Sequence, residues 1–134
     1  MMKSLELKIA SGISYISEVE KFIDSFTSEF NLGERLYGQI DLSIIEAVNN
    51  AILFGNKQDE SKFVKITATC DDTIFYVSIE DEGSGFDYSK YPEDPTLPEN
   101  LEKTCGRGIF LMSILSDRMI YEKNGAKVTL YFNL

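Results

Sequence analysis

Hydrophobic residues recur along the chain with two periods, and each change of period marks a change of element. Leu5, Leu7 and Ile9 alternate with Glu6 and Lys8, the two-residue period of a strand with one buried face. Ser11 to Ser14 supply turn and cap residues. From Ile13 to about Phe30 the apolar positions Ile16, Val19, Phe22, Ile23 and Phe26 take helical spacing, until Asn31-Leu32-Gly33 breaks it. A second helix is predicted from about Glu34 to Phe54, stopped by Gly55-Asn56. Residues 62–70 and 73–80 read as two strands turned at Asp71-Asp72, and residues 118–122 and 126–132 as two more turned at Asn124-Gly125. Between the hairpins, Gly106-Arg107-Gly108 and the apolar run from Ile109 to Met112 predict a short helix reaching about Leu115. Helices interleaved with antiparallel strand pairs predict an α+β two-layer sandwich, with helices covering one face of a mixed, mostly antiparallel sheet.

The second helix carries more than an apolar face. Ile40, Ile44, Ala47 and Ala51, with Ile45, Val48 and Ile52, make it apolar around much of its girth. With roughly 100° of turn per residue, Gln39, Ser43, Glu46 and Asn50 still share an arc of about 60°. Glu46 and Asn50 are neighbours at i, i+4. Burying a lone carboxylate costs several kcal/mol, so such a stripe is either paired internally or lines a cavity holding water, metal or ligand. An amphipathic helix with its polar face in solvent produces the same pattern.

Composition narrows the chemistry. The chain has 134 residues, 43% hydrophobic and 26% charged, which predicts one soluble globular domain spanning residues 1–134. A net charge of -9 argues against general affinity for nucleic acid or anionic membrane and suits a basic protein partner. With no histidine present, a catalytic base falls to a carboxylate. Two cysteines, Cys70 and Cys105, are too few for a zinc site and predict reduced thiols. The absence of a long apolar run, and an N-terminal stretch of alternating polarity, predict a cytoplasmic protein.

Three motifs carry candidate chemistry. Asp81-x-Gly83-x-Gly85 stands where a strand ends; its glycines let main chain approach a flat ligand, and its carboxylate can accept from an exocyclic amine. Gly106-Arg107-Gly108 opens a helix, where free amides and the helix dipole attract phosphate and an arginine can donate in a fork. Each of these is also found as a plain turn or helix entry. Between them, periodicity lapses over about twenty residues containing Pro92, Pro95 and Pro98, which reads as a lid over residues 86–105.

Taken in order, E-x-x-x-N on a helix, D-x-G-x-G after a strand, a lid and G-R-G before a helix resemble the N-box and two glycine boxes of the Bergerat-fold ATPases. Within that superfamily of gyrase, heat-shock chaperone, mismatch-repair and histidine-kinase ATPases, the chain is most similar to the anti-sigma factor serine/threonine kinases. EAVNNAILFGNK resembles their E-A-x-x-N-A-x-x-H-G segment, and DPTLPENLEKTCGRGIFLMSILSD their lid followed by G-R-G-x-F-L. Phe54 stands where relatives carry histidine, and Ala126 where they commonly carry threonine.

The resemblance implies ATP and Mg²⁺ as ligands. Asn50 would bind the metal, and Glu46 would orient or deprotonate the attacking hydroxyl. Asp81 would bond the adenine amine above Gly83 and Gly85, and Gly106, Arg107 and Gly108 would hold the phosphates. It further implies a homodimer that binds a sigma factor and phosphorylates an anti-anti-sigma antagonist of the STAS type. A nucleotide-binding partner-switching module without kinase activity, or an ATP hydrolase of the same fold, uses the same residues.

Overall fold

Strand order across the sheet is β1-β2-β3-β5-β4, formed by β1 (Lys3–Ala10), β2 (Phe63–Cys70), β3 (Ile74–Glu80), β4 (Arg118–Glu122) and β5 (Lys127–Asn133). The computed structural model describes residues 2–90 and 104–134. All four strand pairings are antiparallel, including both expected hairpins, so the sheet expected to be mostly antiparallel is antiparallel throughout its described part. Alternation within a strand reports which face is buried and is blind to the direction of the neighbouring strand.

Register aligns the apolar rows. Phe75, Val77 and Ile79 of β3 stand opposite Phe132, Leu130 and Val128 of β5 and opposite Cys70, Ala68 and Ile66 of β2. Leu5, Leu7 and Ile9 extend the rows opposite Ala68, Ile66 and Val64. This face receives α1 (Ile16–Glu29), α2 (Gly33–Asn50) and α3 (Thr104–Leu115). Val19, Ile23 and Phe26 of α1, Ile40, Ile44 and Val48 of α2, and Ile109 and Met112 of α3 join one core with the sheet. Phe26 stacks on Phe75 with centroids 5.2 Å apart. Burying each such ring contributes about 1.5–3 kcal/mol, so α1 is held chiefly by its apolar stripe.

The helix boundaries follow local chemistry. A 3-10 turn, Ile13–Tyr15, precedes α1. Its other end is a Schellman motif: Asn31 takes φ 59°, its N–H donates to Ser28 O at 3.1 Å, and Leu32 N–H donates to Thr27 O at 3.0 Å. Helix α2 differs from its expected form. It is α-helical only to Asn50 and ends in a π-helical turn, Ala51–Gly55, in which Asn56 N–H donates to Ala51 O at 2.8 Å. Single π turns of this kind accompany functional sites, because the extra residue re-aims the side chains at the helix end. Helix α3 begins at Thr104, two residues before the glycine expected to open it.

A polar seam separates α1 from α2. Tyr37 donates to Asp24 Oδ1 at 2.5 Å, which together with nearby acids pushes the phenol up to about 12. Burial, with Glu20 and Asp24 adding to it, raises the pKa of Asp41, whose Oδ1 is buried without a hydrogen-bond partner among the described residues. Cys70 is a free, buried thiol; the side chain of Cys105 lies outside the described residues.

Candidate functional site

Of the expected polar stripe, Asn50 lines a cavity of about 170 Å³ bounded by the end of α2, the loop after β3, α3 and the β4–β5 connection, and Glu46 does not. Ala47, Ala51, Met112 and Val128 give it apolar walls, and Phe54, Phe86 and Tyr121 add aromatic surface. Its polar side chains are Asn50 and Asp81. A mostly apolar cleft with a few convergent polar groups is the usual form of a small-molecule site.

Asp81 is fixed by its neighbours. Its N–H donates to Ala126 O at 2.8 Å, and its Oδ1 accepts Gly83 N–H at 2.8 Å. Burial holds the carboxyl above its ordinary pKa; the Gly83 amide opposes that rise, Glu80 adds to it and Lys62 opposes it. Glycine is required around this group by close approach. A Cβ on Gly55 would lie 2.3 Å from Asp81 Oδ2, and one on Gly83 would lie 2.2 Å from Gly55 O. Gly85, at φ +86°, brings the loop against the β4–β5 connection, where Phe86 N–H donates to Asn124 O at 2.8 Å. Lys123 and Asn124, both at positive φ, with Gly125 and Ala126 form that connection, which is longer than the plain two-residue Asn-Gly turn expected.

At the other end Glu46 and Asn50 meet α3. A Cβ on Gly108 would lie 2.9 Å from Glu46 Oε2 and 3.0 Å from Asn50 Nδ2, so only glycine lets the helix backbone come this near. Asn50 Nδ2 is buried and has no hydrogen-bond partner among the described residues. Since α3 starts at Thr104, Gly106 lies in its first turn, among the amides that have no intrahelical acceptor, while Arg107 and Gly108 fall past them. Gly108 serves the close approach of α3 to Glu46 and Asn50. Arg107 is exposed, and neither it nor Gly106 nor Gly83 lines the cavity.

No group of three carboxylate, histidine or cysteine side chains converges on a metal position among the described residues. Mg²⁺ does not require such a group, because it is usually held by one or two side-chain oxygens, with phosphate and water completing its shell. The side-chain oxygens of Asn50 and Glu46 are the ligands that fit, whereas the unpartnered Asn50 Nδ2 is an N–H donor and cannot ligate a metal.

Several lining residues were invisible in the pattern. Phe54 is 47% exposed at the end of the π turn, and only its departure from the expected histidine marked it. Phe86 and Tyr121 meet edge to face at 5.3 Å, and Tyr88 stacks on Tyr121 at 5.2 Å. Nothing local in the sequence signals that these three rings meet. The expected lid falls mainly on residues 91–103, outside the described residues.

An apolar cleft floored by a strand-end aspartate and bordered by a helix bearing Glu46 and Asn50 defines a nucleotide-binding class of protein. Residues 9–132 match the histidine kinase-like ATPase domain, and the chain belongs to that family. It is 29% identical over 119 residues to the anti-sigma F factor of Geobacillus thermodenitrificans, covering 87% of this chain and 73% of that relative. The anti-sigma F factor of Clostridium perfringens is 38% identical over 95 residues, 66% of each chain. A crystal structure of the RsbU and RsbW domains of a Mycobacterium tuberculosis protein superimposes with a TM-score of 0.68 at 17% identity, covering 97% of this chain and 32% of that one. That likeness shows the fold. No helix among the described residues is long and apolar enough to cross a membrane.

Proposed function

We propose that this chain is an ATP-dependent protein serine/threonine kinase that acts as an anti-sigma factor, binding a sigma factor and phosphorylating a STAS-type anti-anti-sigma antagonist. The observation that carries this reading is the convergence of Glu46, Asn50 and the bare Gly108 backbone beside an apolar cavity floored by Asp81. The names of the related proteins support the sigma-factor partner, and the family resemblance supports a cytoplasmic homodimer.

Asp81 accepts from the adenine amine, and Gly83 and Gly85 keep the surrounding main chain low. Asn50 would hold Mg²⁺ through its side-chain oxygen, and the metal would neutralise phosphate charge. The first amides of α3, at Gly106, and the Arg107 side chain hold phosphate oxygens, while Gly108 lets the helix approach Glu46. The antagonist's hydroxyl oxygen forms a bond to the γ-phosphorus as the bond to the bridging oxygen of ADP breaks, and Glu46 takes the hydroxyl proton. Phosphoryl transfer needs mainly this positioning and charge stabilisation. The test is transfer of labelled phosphate from ATP, with Mg²⁺, to an antagonist that binds the protein. Transfer is expected from the wild type; none to a verified bound antagonist overturns the kinase and leaves a sequestering nucleotide-binding module.

A further inference from the structure

We infer that Asn56 is a positioning residue for base recognition, acting through the peptide that follows Asp81; this rests on the proposed reading of Asp81 as the group that accepts from the base. Asn56 looks like the stop of a helix, yet its side chain is almost completely buried at 1% exposure. Its Nδ2 donates to Ser11 Oγ at 2.7 Å and to Phe63 O at 3.0 Å, and its Oδ1 accepts Glu82 N–H at 2.8 Å. Ser11, itself buried, donates through Oγ to Lys62 O at 2.8 Å. The Glu82 carboxylate accepts Phe63 N–H at 2.5 Å. One amide thus links the end of β1, the start of β2 and the loop after β3.

The consequence lies in the geometry of a single residue. A peptide plane is set by its N–H and C=O, and the direction of a side chain is set by the two planes on either side of its Cα. The plane before Asp81 is held by the bond from Asp81 N–H to Ala126 O, and the plane after it by the bond from Glu82 N–H to Asn56 Oδ1. With both planes held, the Cβ of Asp81 has one direction, and the Gly83 amide selects the carboxylate orientation. Asn56 also follows Gly55, whose bare Cα packs against the same carboxylate. The group that aims the base-reading carboxylate is therefore a side chain outside the cavity.

A residue that only capped the helix would lower stability without changing which base is preferred. The experiment measures binding of ATP and of inosine triphosphate, which has a carbonyl in place of the exocyclic amine, to wild type, Asn56→Ala, Asn56→Asp and Val19→Ala. Val19 is a core residue on α1, a helix that contributes nothing to the cavity. Wild type is expected to prefer ATP by about tenfold or more, the scale of a hydrogen bond to a charged acceptor. Asn56→Ala should bring the ratio near one. Asn56→Asp, which keeps an acceptor for Glu82 N–H, should retain most of the preference, and Val19→Ala all of it, though both are less stable. An unchanged ratio in folded Asn56→Ala, or an equal loss in Asn56→Asp, overturns the inference. So does rapid hydrogen exchange of the Glu82 amide in the wild type, which decides the matter if the variants do not fold. A wild type that binds both nucleotides equally overturns the reading of Asp81 itself, and this inference with it.

Discussion

At the Asp81 end of the cavity, the carboxylate and both flanking peptides have hydrogen-bond partners, whereas at the other end the Asn50 amide nitrogen is buried with none among the described residues. The first end is finished before any ligand arrives. An uncharged base offers only shape and a few directional bonds, so a recognition group gains by being held in place beforehand. On the proposed reading, the second end leaves an N–H donor for a ligand that brings phosphate charge. A buried polar atom without a partner costs about 1–3 kcal/mol, and that cost is removed only when something binds there.

The largest effect is expected from breaking the finished end. In Gly55→Ala, the new methyl lands 2.3 Å from Asp81 Oδ2, so the carboxylate must move. Binding of ATP should be lost, and overpacking should cost about 1–3 kcal/mol of stability. Thermal melting with and without ATP and Mg²⁺ measures both: the variant should melt lower and show no rise with nucleotide. An intact nucleotide-induced rise would show that the Asp81 end tolerates displacement.

Glu46→Gln tests the open end. Phosphate transfer should fall by roughly a hundredfold, the scale of losing a general base, while nucleotide binding persists. Single-turnover transfer beside equilibrium binding separates the two. Full transfer by the variant would remove Glu46 from the chemistry.

Acidification should move the Asp81 end in two directions. Because burial raises its folded pKa, Asp81 binds a proton more tightly when folded than when unfolded. Its contribution to stability therefore improves as pH falls through the raised folded value towards the ordinary aspartate value, and worsens as pH rises through the same window. The protonated oxygen is a poorer acceptor, so ATP affinity should decline over that window. Calorimetry against pH checks the affinity; an affinity independent of pH there would detach base recognition from the Asp81 charge.

The smallest effect concerns the second buried orphan, Asp41 Oδ1, which lies away from the cavity lining. Burial, Glu20 and Asp24 all raise its pKa, so its ionisation opposes folding at neutral pH and the penalty is relieved as pH falls through its folded value. Asp41→Asn should raise the melting temperature at pH 7, with the gain shrinking in acid, and leave the rise produced by ATP unchanged. Asn50→Ala, which also removes a buried unpartnered group, should not lower the ligand-free melt but should remove the nucleotide response. If the two variants behaved alike, the Asn50 amide would be an ordinary packing defect.

Much of this was legible in the chain alone. Two-residue alternation in Leu5, Leu7 and Ile9 placed β1, and the arc shared by Glu46 and Asn50 placed both on one side of α2, because a strand and a helix repeat their geometry within a few residues. Asp81-x-Gly83-x-Gly85 announced a close backbone approach for the same local reason. The pairing of β1 with β2 and of β3 with β5, the π turn that ends α2, and the meeting of Phe86, Tyr88 and Tyr121 were decided by the tertiary structure. So was the use of Asn56, a residue that reads as a helix stop and bonds to an amide 26 positions away. Periodicity encodes which side of an element is buried; which distant peptide then comes within 3 Å is settled only when the layers pack.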